Sequence, residues 1–390
     1  MPPIPQTHTH TPPYSSLLPH LSSHLPHSLP LLRTLTHPLT ATSSTAHVLA
    51  TFAPSHSSST EPAEPKRWAA LYVDRARRPE TEAWVFCTYE VVLNEMGRGR
   101  GREEGDGDGG RDGRRDRAGD GEAEDAKQQL LALLAAVAAL PPTTASAARE
   151  KPPRPPLMLG SMHEGLLPLL AGSEHRKLPR RAVLDRAGAD EELAERGGGG
   201  GGAGVLTQIS VRYGKWVFRA AAGGRERTAL PGGYTFSAIR EEELEVVVSR
   251  TSIPKTVGTL GRLVGVGVRK LRLGVDGQRG GGEGEGKLVA WGFLGTDGGL
   301  NTLHVEEEER GRGLGKGVGR ELLRMAAEGR SEGQREVWVS GNVAVGNLES
   351  EGVMKGLGGE RRWWTFWVGV DLGACGRGVG DEVDVDGSFG

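Results

Sequence analysis

The sequence LHVEEEERGRGLGKGVGRELLRMAAEG, residues 303 to 329, predicts a strand, a glycine-rich turn and an amphipathic helix. Leu303 and Val305 alternate with polar neighbours, which is typical of a half-buried strand. After the turn, apolar side chains recur at helical spacing on one face: Val318, Leu322, Met325 and Ala326. Gly329 follows the last of them and is placed to end the helix.

The turn between this strand and this helix predicts an anion site. The first amides of a helix have no partner within it and lie at the positive end of its dipole. Three glycines allow positive φ angles and close approach of an anion to the backbone: Gly311, Gly313 and Gly315. Three basic side chains surround the same turn: Arg310, Arg312 and Lys316. We therefore expect a diphosphate to bind here.

The spacing of the turn excludes two common phosphate motifs. No Gly-Lys-Ser/Thr follows at the distance that a P-loop needs. Lys316 stands where the third Gly or Ala of a dinucleotide fingerprint would be. Gly317 and Gly319 lie inside the predicted helix, where each costs about 1 kcal/mol relative to Ala. Their presence indicates that something at these positions requires glycine.

Two blocks of sequence resemble a known family. Arg310-x-x-Gly313-x-Gly315 matches the Arg/Gln-x-x-Gly-x-Gly/Ala signature of the GCN5-related N-acetyltransferase (GNAT) superfamily. Downstream, NLESEGVMKGLGG, residues 347 to 359, resembles the Asn-x-x-Ala/Ser…Leu-Gly helix of that family, in register. Upstream, AWGFLGTDGGLNTLHVEEEERGRGLG, residues 290 to 315, resembles the FR47-like branch, which includes the glycine N-acyltransferase type.

This resemblance implies an α/β fold of the α+β type. Its central sheet would be mixed, mostly antiparallel and splayed at the acyl-CoA cleft. Residues 234–372 would form the GNAT N-acetyltransferase domain. Residues 1–222 would form a diverged α/β unit of their own with a disordered insertion at 97–125, and residues 373–390 a flexible tail. No cofactor is assigned to the N-terminal half, because it lacks an Arg/Gln-x-x-Gly-x-Gly turn.

The resemblance also implies a reaction: transfer of an acyl group from acetyl-CoA, or another acyl-CoA, to an amine, without a metal. Backbone amides of the strand would meet the pantetheine arm and the thioester carbonyl. Asn347 would lie near the pantetheine or cap its own helix, and the two roles are compatible. The residues expected to contact the cofactor are His304, Val305, Glu306, Arg310, Arg312, Gly313, Leu314, Gly315, Lys316, Gly317 and Asn347.

Proton transfer is where the sequence departs from the family pattern. Many relatives place a Tyr seven residues after the helix Asn and a Glu five residues before it. The corresponding residues here, Met354 and Asn342, cannot exchange a proton at neutral pH. His304 titrates in a suitable range and would share a sheet face with Glu306, so these two are the catalytic candidates. Asp297 is a third candidate, although its position is more typical of a turn residue.

Two alternatives stay open. An ordinary packed role for His304 is as compatible with the sequence as catalysis is. Without the usual acid and base, the chain could be a catalytically degenerate GNAT protein that binds acyl-CoA or a partner without turnover. The acceptor amine, whether a small molecule or a peptide, is not identified by the sequence.

Composition and charge limit the other classes of function. The chain has 390 residues, enough for two domains, but only 36% are hydrophobic and 61 are Gly. A net charge of −2 gives no general attraction to nucleic acid or to anionic membranes. The Arg-Gly repeats within residues 97–121 are neutralised by Asp and Glu, so plain disorder is favoured over RNA binding. Cys87 and Cys375 are isolated and predict neither a disulfide framework nor a zinc site.

The sequence favours a cytoplasmic protein. The longest apolar run, residues 130–140, is far shorter than the ~20 residues that a membrane-spanning helix needs. Mitochondrial import is a minor alternative, since no acidic residue precedes Glu61, but Arg33 is the only basic residue before Lys66. Several histidines occur near the start at irregular spacings that do not predict a metal site: His8, His10, His20, His24, His27 and His37.

Overall fold

The architecture is described from a computed structural model of the chain. It describes residues 5–54, 65–93, 113–141, 156–171, 180–181, 205–221, 228–271, 286–329 and 336–375. Within these ranges, fourteen strands join in one mixed sheet. The strands are β1 His8–Thr9, β2 His47–Ala50, β3 Ala69–Val73, β4 Ala83–Cys87, β5 Leu157–His163, β6 Arg180–Arg181, β7 Leu206–Ser210, β8 Tyr213–Ala221, β9 Tyr234–Ser237, β10 Val264–Lys270, β11 Lys287–Leu294, β12 Gly299–Val305, β13 Glu336–Ala344 and β14 Glu360–Val370.

Helices cover both faces of this sheet. The α-helices are α1 Leu17–Ser23, α2 Leu29–Thr36, α3 Pro38–Ala41, α4 Gly113–Ala139, α5 Leu167–Ala171, α6 Leu244–Ser249, α7 Val257–Leu260, α8 Leu314–Glu328, α9 Leu348–Gly356 and α10 Leu372–Cys375. Short 3-10 turns are Arg75–Arg77, Glu164–Leu166, Glu241–Glu243 and Glu307–Glu309.

The strand order joins the two halves of the chain. The main path runs β1-β2-β3-β4-β5-β14-β8-β13-β12-β11-β10-β9, with β7 beside β14 and β6 beside β7. The neighbours β4·β5, β12·β13 and β6·β7 are parallel, and the other described pairs are antiparallel. The mixed, mostly antiparallel sheet that the resemblance implied is therefore confirmed.

The halves exchange strands at their junction. Strand β8, the last of the N-terminal half, lies between β13 and β14 of the C-terminal half. Strand β14 in turn pairs with β5 and β7 of the N-terminal half. The sequence predicted an α/β unit of its own up to residue 222, and backbone hydrogen bonds join the strands of this unit to those of the C-terminal half in one sheet.

The main helix of each half packs into a hydrophobic core of its own. In the N-terminal half, α4 buries Leu130, Leu133 and Val137 against the sheet. In the C-terminal half, α8 buries Val318 and Leu322, as the apolar spacing of the sequence predicted. Burying apolar side chains of this size contributes about 1.5–3 kcal/mol each. Both central helices are therefore fixed to the sheet mainly by burial.

The predicted insertion is shorter than residues 97–125. Helix α4 already begins at Gly113, whereas the sequence predicted disorder as far as 125. Arg67 contacts Glu122 of this helix at 3.0 Å. Residues 94–112 lie outside the described residues, as do 376–390 of the predicted tail. The tail begins with α10, whose Cys375 is buried.

The N-terminal histidines mostly contact aromatic rings. His10 and His20 pack on Phe52 with ring centroids 5.1 and 5.3 Å apart, and His27 stacks on Trp363 at 4.3 Å. Among the described residues, no cluster of three or more His, Cys, Asp and Glu side chains could hold a metal ion. In the same part of the chain, no helix combines the length and apolar character needed to cross a bilayer.

Candidate active site

The parallel strands β12 and β13 separate to form a cleft. They pair at Gly299 with Ser340 and at Leu300 with Gly341, and diverge toward their carboxyl ends. The other edge of β12 stays paired with β11, where His304 faces Trp291. One edge of residues 301–305 is therefore paired with β11, and the other edge faces the open cleft.

Of the three strand amides predicted to meet the cofactor, one faces this cleft. The Glu306 amide donates to the Val289 carbonyl at 2.8 Å, so it is already used by β11. Successive amides of a strand point to opposite edges. The amide of His304 therefore also faces β11, and that of Val305 faces the cleft. Val305 is the backbone donor that this geometry leaves for a ligand.

A bulge in β12 sets which side chains share a face. The register between β11 and β12 shifts by one residue between Trp291 and Phe293, and Thr302 adopts a φ of 51°. A regular strand would place Asn301 and His304 on opposite faces. The extra residue places both on the face of Trp291 and Phe293. Leu303 and Val305 face α8 instead.

The glycine-rich turn has the predicted backbone geometry at two of its three glycines, and the third, Gly315, lies inside α8. Gly311 and Gly313 have φ angles of 76° and 79°, which residues with a side chain rarely adopt. Gly313 is the N-cap of α8. Within the described part of the chain, the amides of residues 311–316 have no hydrogen-bond acceptor, whereas the Gly317 amide donates to the Gly313 carbonyl at 3.0 Å. These consecutive free amides form an anion-binding surface beside the cleft.

Glu309 anchors the turn to the edge of the sheet. Its buried carboxylate accepts hydrogen bonds from Lys270 Nζ at 2.7 Å and from the Tyr234 hydroxyl, and pairs with Arg312 at 3.2 Å. The hydrogen bonds from Lys270 and Tyr234 hold the pKa of Glu309 below its ordinary value. The carboxylate therefore stays ionised and fixes the segment that leads into α8.

The predicted basic side chains are arranged around the free amides in different ways. Arg312 is held by Glu309, and Arg310 Nε donates to the Val305 carbonyl at 3.3 Å. Lys316 is exposed, and its side chain lies against Gly356 of α9. Because Arg310 and Arg312 are engaged by these contacts, Lys316 is the basic side chain of the turn that can face a bound anion.

The glycines inside α8 serve packing. A Cβ atom at Gly319 would lie 2.5 Å from Leu357, and one at Gly317 would lie 2.9 Å from Leu230. Real Cβ contacts do not reach these distances, so a side chain at either position would force the neighbouring leucine to shift. Gly317 was predicted to bind the cofactor, but its amide is used within the helix and its surface is covered.

His304 and Glu306, the predicted catalytic pair, lie side by side. His304 Nε2 is 3.6 Å from a carboxylate oxygen of Glu306, and its ring stacks on Trp291 with centroids 4.5 Å apart. The other Glu306 oxygen accepts from Arg250 Nε at 3.3 Å. Burial lowers the pKa of His304 and outweighs the opposing effect of Glu306. The imidazole is therefore neutral near pH 7 and able to accept a proton.

The positions of the missing family residues have other roles. Met354 is 4% exposed and packs under Gly341. Asn342 Oδ1 accepts from Thr365 Oγ1 at 3.1 Å and from Ser161 Oγ at 3.4 Å. Asn347 caps α9, because its Oδ1 accepts the Ser350 amide at 3.0 Å. The capping role of Asn347 is confirmed, and a contact with pantetheine stays a prediction.

Sequence reasoning missed Lys215. This lysine is 1% exposed and lies directly across the sheet from Asn342. Its Nζ donates to Ser161 Oγ at 3.1 Å, and burial lowers its pKa to about 8. The sequence offered one signal for Lys215, namely a lysine within the otherwise apolar strand GKWVFRA. Only the pairing of β8 with β13 shows that this lysine lies near the apex of the cleft, where β12 and β13 separate.

A cavity of about 80 Å³ lies at this apex, between the two halves. Asn301, Asn342 and Asp297 of the C-terminal half line it, together with Thr81 and Trp84 of the N-terminal half. Asp297 closes the β11–β12 turn, where its Oδ1 accepts the Gly299 amide at 3.2 Å. The turn role that the sequence favoured for Asp297 is confirmed, and its place in a cavity was not foreseen.

Comparison with known proteins agrees with this geometry. Residues 3–216 match the family model described as acyl-CoA N-acyltransferase verG N-terminal domain. The chain belongs to this acyl-CoA N-acyltransferase family. Residues 279–368 match the model described as FR47-like protein. The chain therefore combines a VerG-like N-terminal domain with an FR47-like C-terminal domain as a tandem GNAT protein.

One solved structure shares the fold over nearly the whole chain, and two others are similar at lower TM-scores. The X-ray structure of a Drosophila protein covers 94% of this chain and 98% of its own, with 13% identity and a TM-score of 0.52. A tandem GNAT protein from the clavulanic acid biosynthesis pathway has the same coverages, 94% and 98%, with 13% identity and a TM-score of 0.37. A putative GNAT acetyltransferase of Novosphingobium aromaticivorans covers 43% of this chain and 67% of its own, with 16% identity and a TM-score of 0.29. No curated protein matches the chain.

Proposed function

We propose that this protein transfers an acetyl group, or another short acyl group, from acyl-CoA to an amine. The observation that carries this proposal is the row of free amides at residues 311–316, which borders the cleft between β12 and β13. A diphosphate satisfies amides at a helix N-terminus, and a narrow cleft beside it suits an extended arm. The two buried cysteines are free thiols, which fits the cytoplasmic setting that we propose.

The cofactor is held by main-chain groups. The amides of residues 311–316 bind the diphosphate, and Lys316 adds a positive charge at the same turn. The Val305 amide meets the acyl-CoA arm along the cleft edge of β12. Where such a backbone donor points at the thioester carbonyl, it stabilises the developing oxyanion by about 3 kcal/mol.

His304 takes the proton that the amine must lose. The amine nitrogen then attacks the thioester carbonyl carbon, and the nitrogen–carbon bond forms. As the carbon–sulfur bond breaks, the nitrogen loses its second proton to solvent, and His304 later releases the first proton to solvent as well. Glu306 stabilises the imidazolium that results, since it lies 3.6 Å from Nε2. CoA leaves as a thiolate that takes a proton from solvent, because Met354 cannot donate one. Positioning of the two substrates supplies much of the remaining rate enhancement.

A second candidate function is binding without turnover. Met354 and Asn342 favour it, because neither the packed thioether nor the hydrogen-bonded amide can exchange a proton. Such a protein would keep the acyl-CoA turn and use it to sense or carry the thioester. Thiol release in the presence of amines separates the two candidates, since only the enzyme frees CoA from acetyl-CoA.

Calorimetry with acetyl-CoA tests the cofactor site. Wild type is compared with Gly315→Asp and Lys316→Glu, which place a negative charge at the turn. Gly352→Asp is the matched control, because a Cβ there meets nothing within 4 Å. We expect binding by wild type and by the control, and weakening of at least about tenfold in both turn variants. Equal affinity in all four proteins would refute the placement of the site, and absence of binding to wild type would refute the proposed function.

A further inference from the structure

The cavity at the junction of the halves has a roof that is held from the N-terminal half. Ile253, Pro254 and Lys255 of the α6–α7 connection line its outer side. The buried carboxylate of Glu80 accepts the amide of Thr256 at 3.1 Å and lies 3.7 Å from Lys255 Nζ. The roof is thus fixed in place by a residue of the N-terminal half.

The walls of the cavity are aromatic and come from both halves. Trp84 of β4 is 5% exposed, and Tyr213 and Trp367 contact each other edge to face at 5.0 Å. Trp367 Nε1 donates to Thr81 Oγ1 at 3.1 Å, which fixes this ring across the junction. Fixed aromatic faces favour apolar groups and also cations.

Asp297 places a carboxylate in this aromatic surrounding. It is 6% exposed, and its Oδ1 accepts only the Gly299 amide. Among the described residues, Asp297 has no ion pair within 4.0 Å and no hydrogen bond to Oδ2. Lys215 and His37 are close enough to feel its charge, but neither contacts it. A buried carboxylate without a direct partner is costly, and a bound cation removes that cost.

We propose that this cavity binds the acceptor as a small primary ammonium with an apolar or aromatic group, and that Asp297 is its counter-ion. The inference rests on the proposed function, since it names the acceptor of that same site. Asn301 and Asn342 connect the cavity to the apex of the cleft. His304 lies on the sheet face of Asn301, so the amine approaches the thioester from the side of the proposed base. Residues of both halves therefore select the acceptor.

The test uses phenethylamine and propylamine as probes. Binding of each amine to the full-length protein without CoA is measured by saturation-transfer NMR, and turnover with acetyl-CoA by thiol release. The variants are Asp297→Asn, which removes the charge, and Ile253→Ala, which opens a roof position that is 39% exposed. Glu242→Gln, an exposed carboxylate outside the cavity, is the control.

We expect Asp297→Asn to raise both the dissociation constant and the Michaelis constant for phenethylamine by at least about tenfold, because it removes a charged hydrogen bond. Its acetyl-CoA affinity should match that of the control. Ile253→Ala should reduce the preference for phenethylamine over propylamine by about fivefold or more. Unchanged amine binding in Asp297→Asn, or no amine binding to wild type, overturns the acceptor site. If wild type binds the amine but does not bind acetyl-CoA, the proposed function is refuted, whereas the amine site is supported.

Discussion

Lys215 and Asn342 face each other across two antiparallel strands, one from each half of the chain. Lys215 Nζ donates to Ser161 Oγ, and this hydroxyl lies 3.4 Å from Asn342 Oδ1. Asn342 lines the cavity at the cleft apex, and Ser161 belongs to β5. The apex of the C-terminal site is therefore built on a polar cluster that the N-terminal half supplies.

Lys215→Met should stabilise the protein at pH 7. Burial lowers the pKa of Lys215 to about 8 from 10.5, so folding loses stability as pH falls from 10.5 toward 8. Methionine removes this cost, and we expect a gain of up to about 3 kcal/mol at pH 7 that shrinks toward pH 10.5. Urea denaturation at pH 7 and pH 10 measures it, with the exposed Lys287→Met as control. A loss of stability at pH 7 would contradict the expectation.

The turn at residues 311–316 could be predicted from the sequence because its physics is local. Gly311 and Gly313 adopt positive φ, and Gly313 begins α8, as the glycine spacing indicated. The alternation of Leu303 and Val305 likewise placed both against the helix. Each of these features depends on residues that are close together in the sequence, so the sequence alone is enough to predict them.

The rest of the site depends on contacts between distant segments. No local pattern shows that β8 enters between β13 and β14, and so none brings Lys215 to Asn342. The bulge at Thr302 shifts the register by one residue, and alternation alone puts Asn301 on the wrong face. Gly317 and Gly319 were identified as significant, but their partners, Leu230 and Leu357, lie on segments whose packing the sequence did not reveal.

His304→Gln should remove the acidic limb of the rate profile. Burial lowers the pKa of His304, so the wild-type kcat/KM should fall only as pH drops below 6.5. Glutamine keeps a polar side chain at position 304 but cannot accept a proton. The kcat/KM of the variant should therefore be about a hundredfold lower and independent of pH in this range. Thiol release between pH 5 and 8 measures both effects.

Glu306→Gln gives a second test of the same pair. The Glu306 charge raises the pKa of His304, so its removal should move the acidic limb to lower pH. Acetyl-CoA affinity, measured by calorimetry, should not change in either variant. An unaltered profile in His304→Gln would show that another group, or none, accepts the proton.

His163→Asn should reduce the acid sensitivity of folding. Burial lowers the pKa of His163 to about 4, whereas the unfolded chain titrates near 6.5. The unfolded state therefore binds the proton first, and stability is lost as pH falls from 6.5 to 4, by up to about 3 kcal/mol. Asn can still accept the Gly165 amide that His163 Nδ1 accepts at 3.1 Å.

The measured quantity for His163→Asn is the slope of the unfolding free energy against pH. Loss of a ring contact lowers this free energy by the same amount at every pH and therefore leaves the slope unchanged. Urea denaturation at half-unit steps from pH 4 to 7 gives this slope, and the partly exposed His47→Asn is the control. The wild type and the control should lose stability in parallel. A slope for His163→Asn equal to theirs would mean that the ring is not buried as a neutral group.

Glu80→Ala should release the roof of the cavity. Oε1 of Glu80 accepts from the Thr256 amide and hydroxyl at 3.1 and 3.3 Å, and Oε2 pairs with Arg77 at 3.2 Å. Loss of this buried carboxylate leaves several donors unpaired, and we expect about 2–4 kcal/mol of destabilisation together with faster tryptic cleavage after Lys255. Glu80→Gln keeps one acceptor for Thr256 but no charge, so its cleavage rate should lie between those of wild type and Glu80→Ala. Cleavage after Lys255 that is no faster in Glu80→Ala than in wild type would show that the α6–α7 connection is held by its own contacts. The contribution of the N-terminal half to the cavity would then rest on its wall residues, such as Thr81, Trp84 and Tyr213.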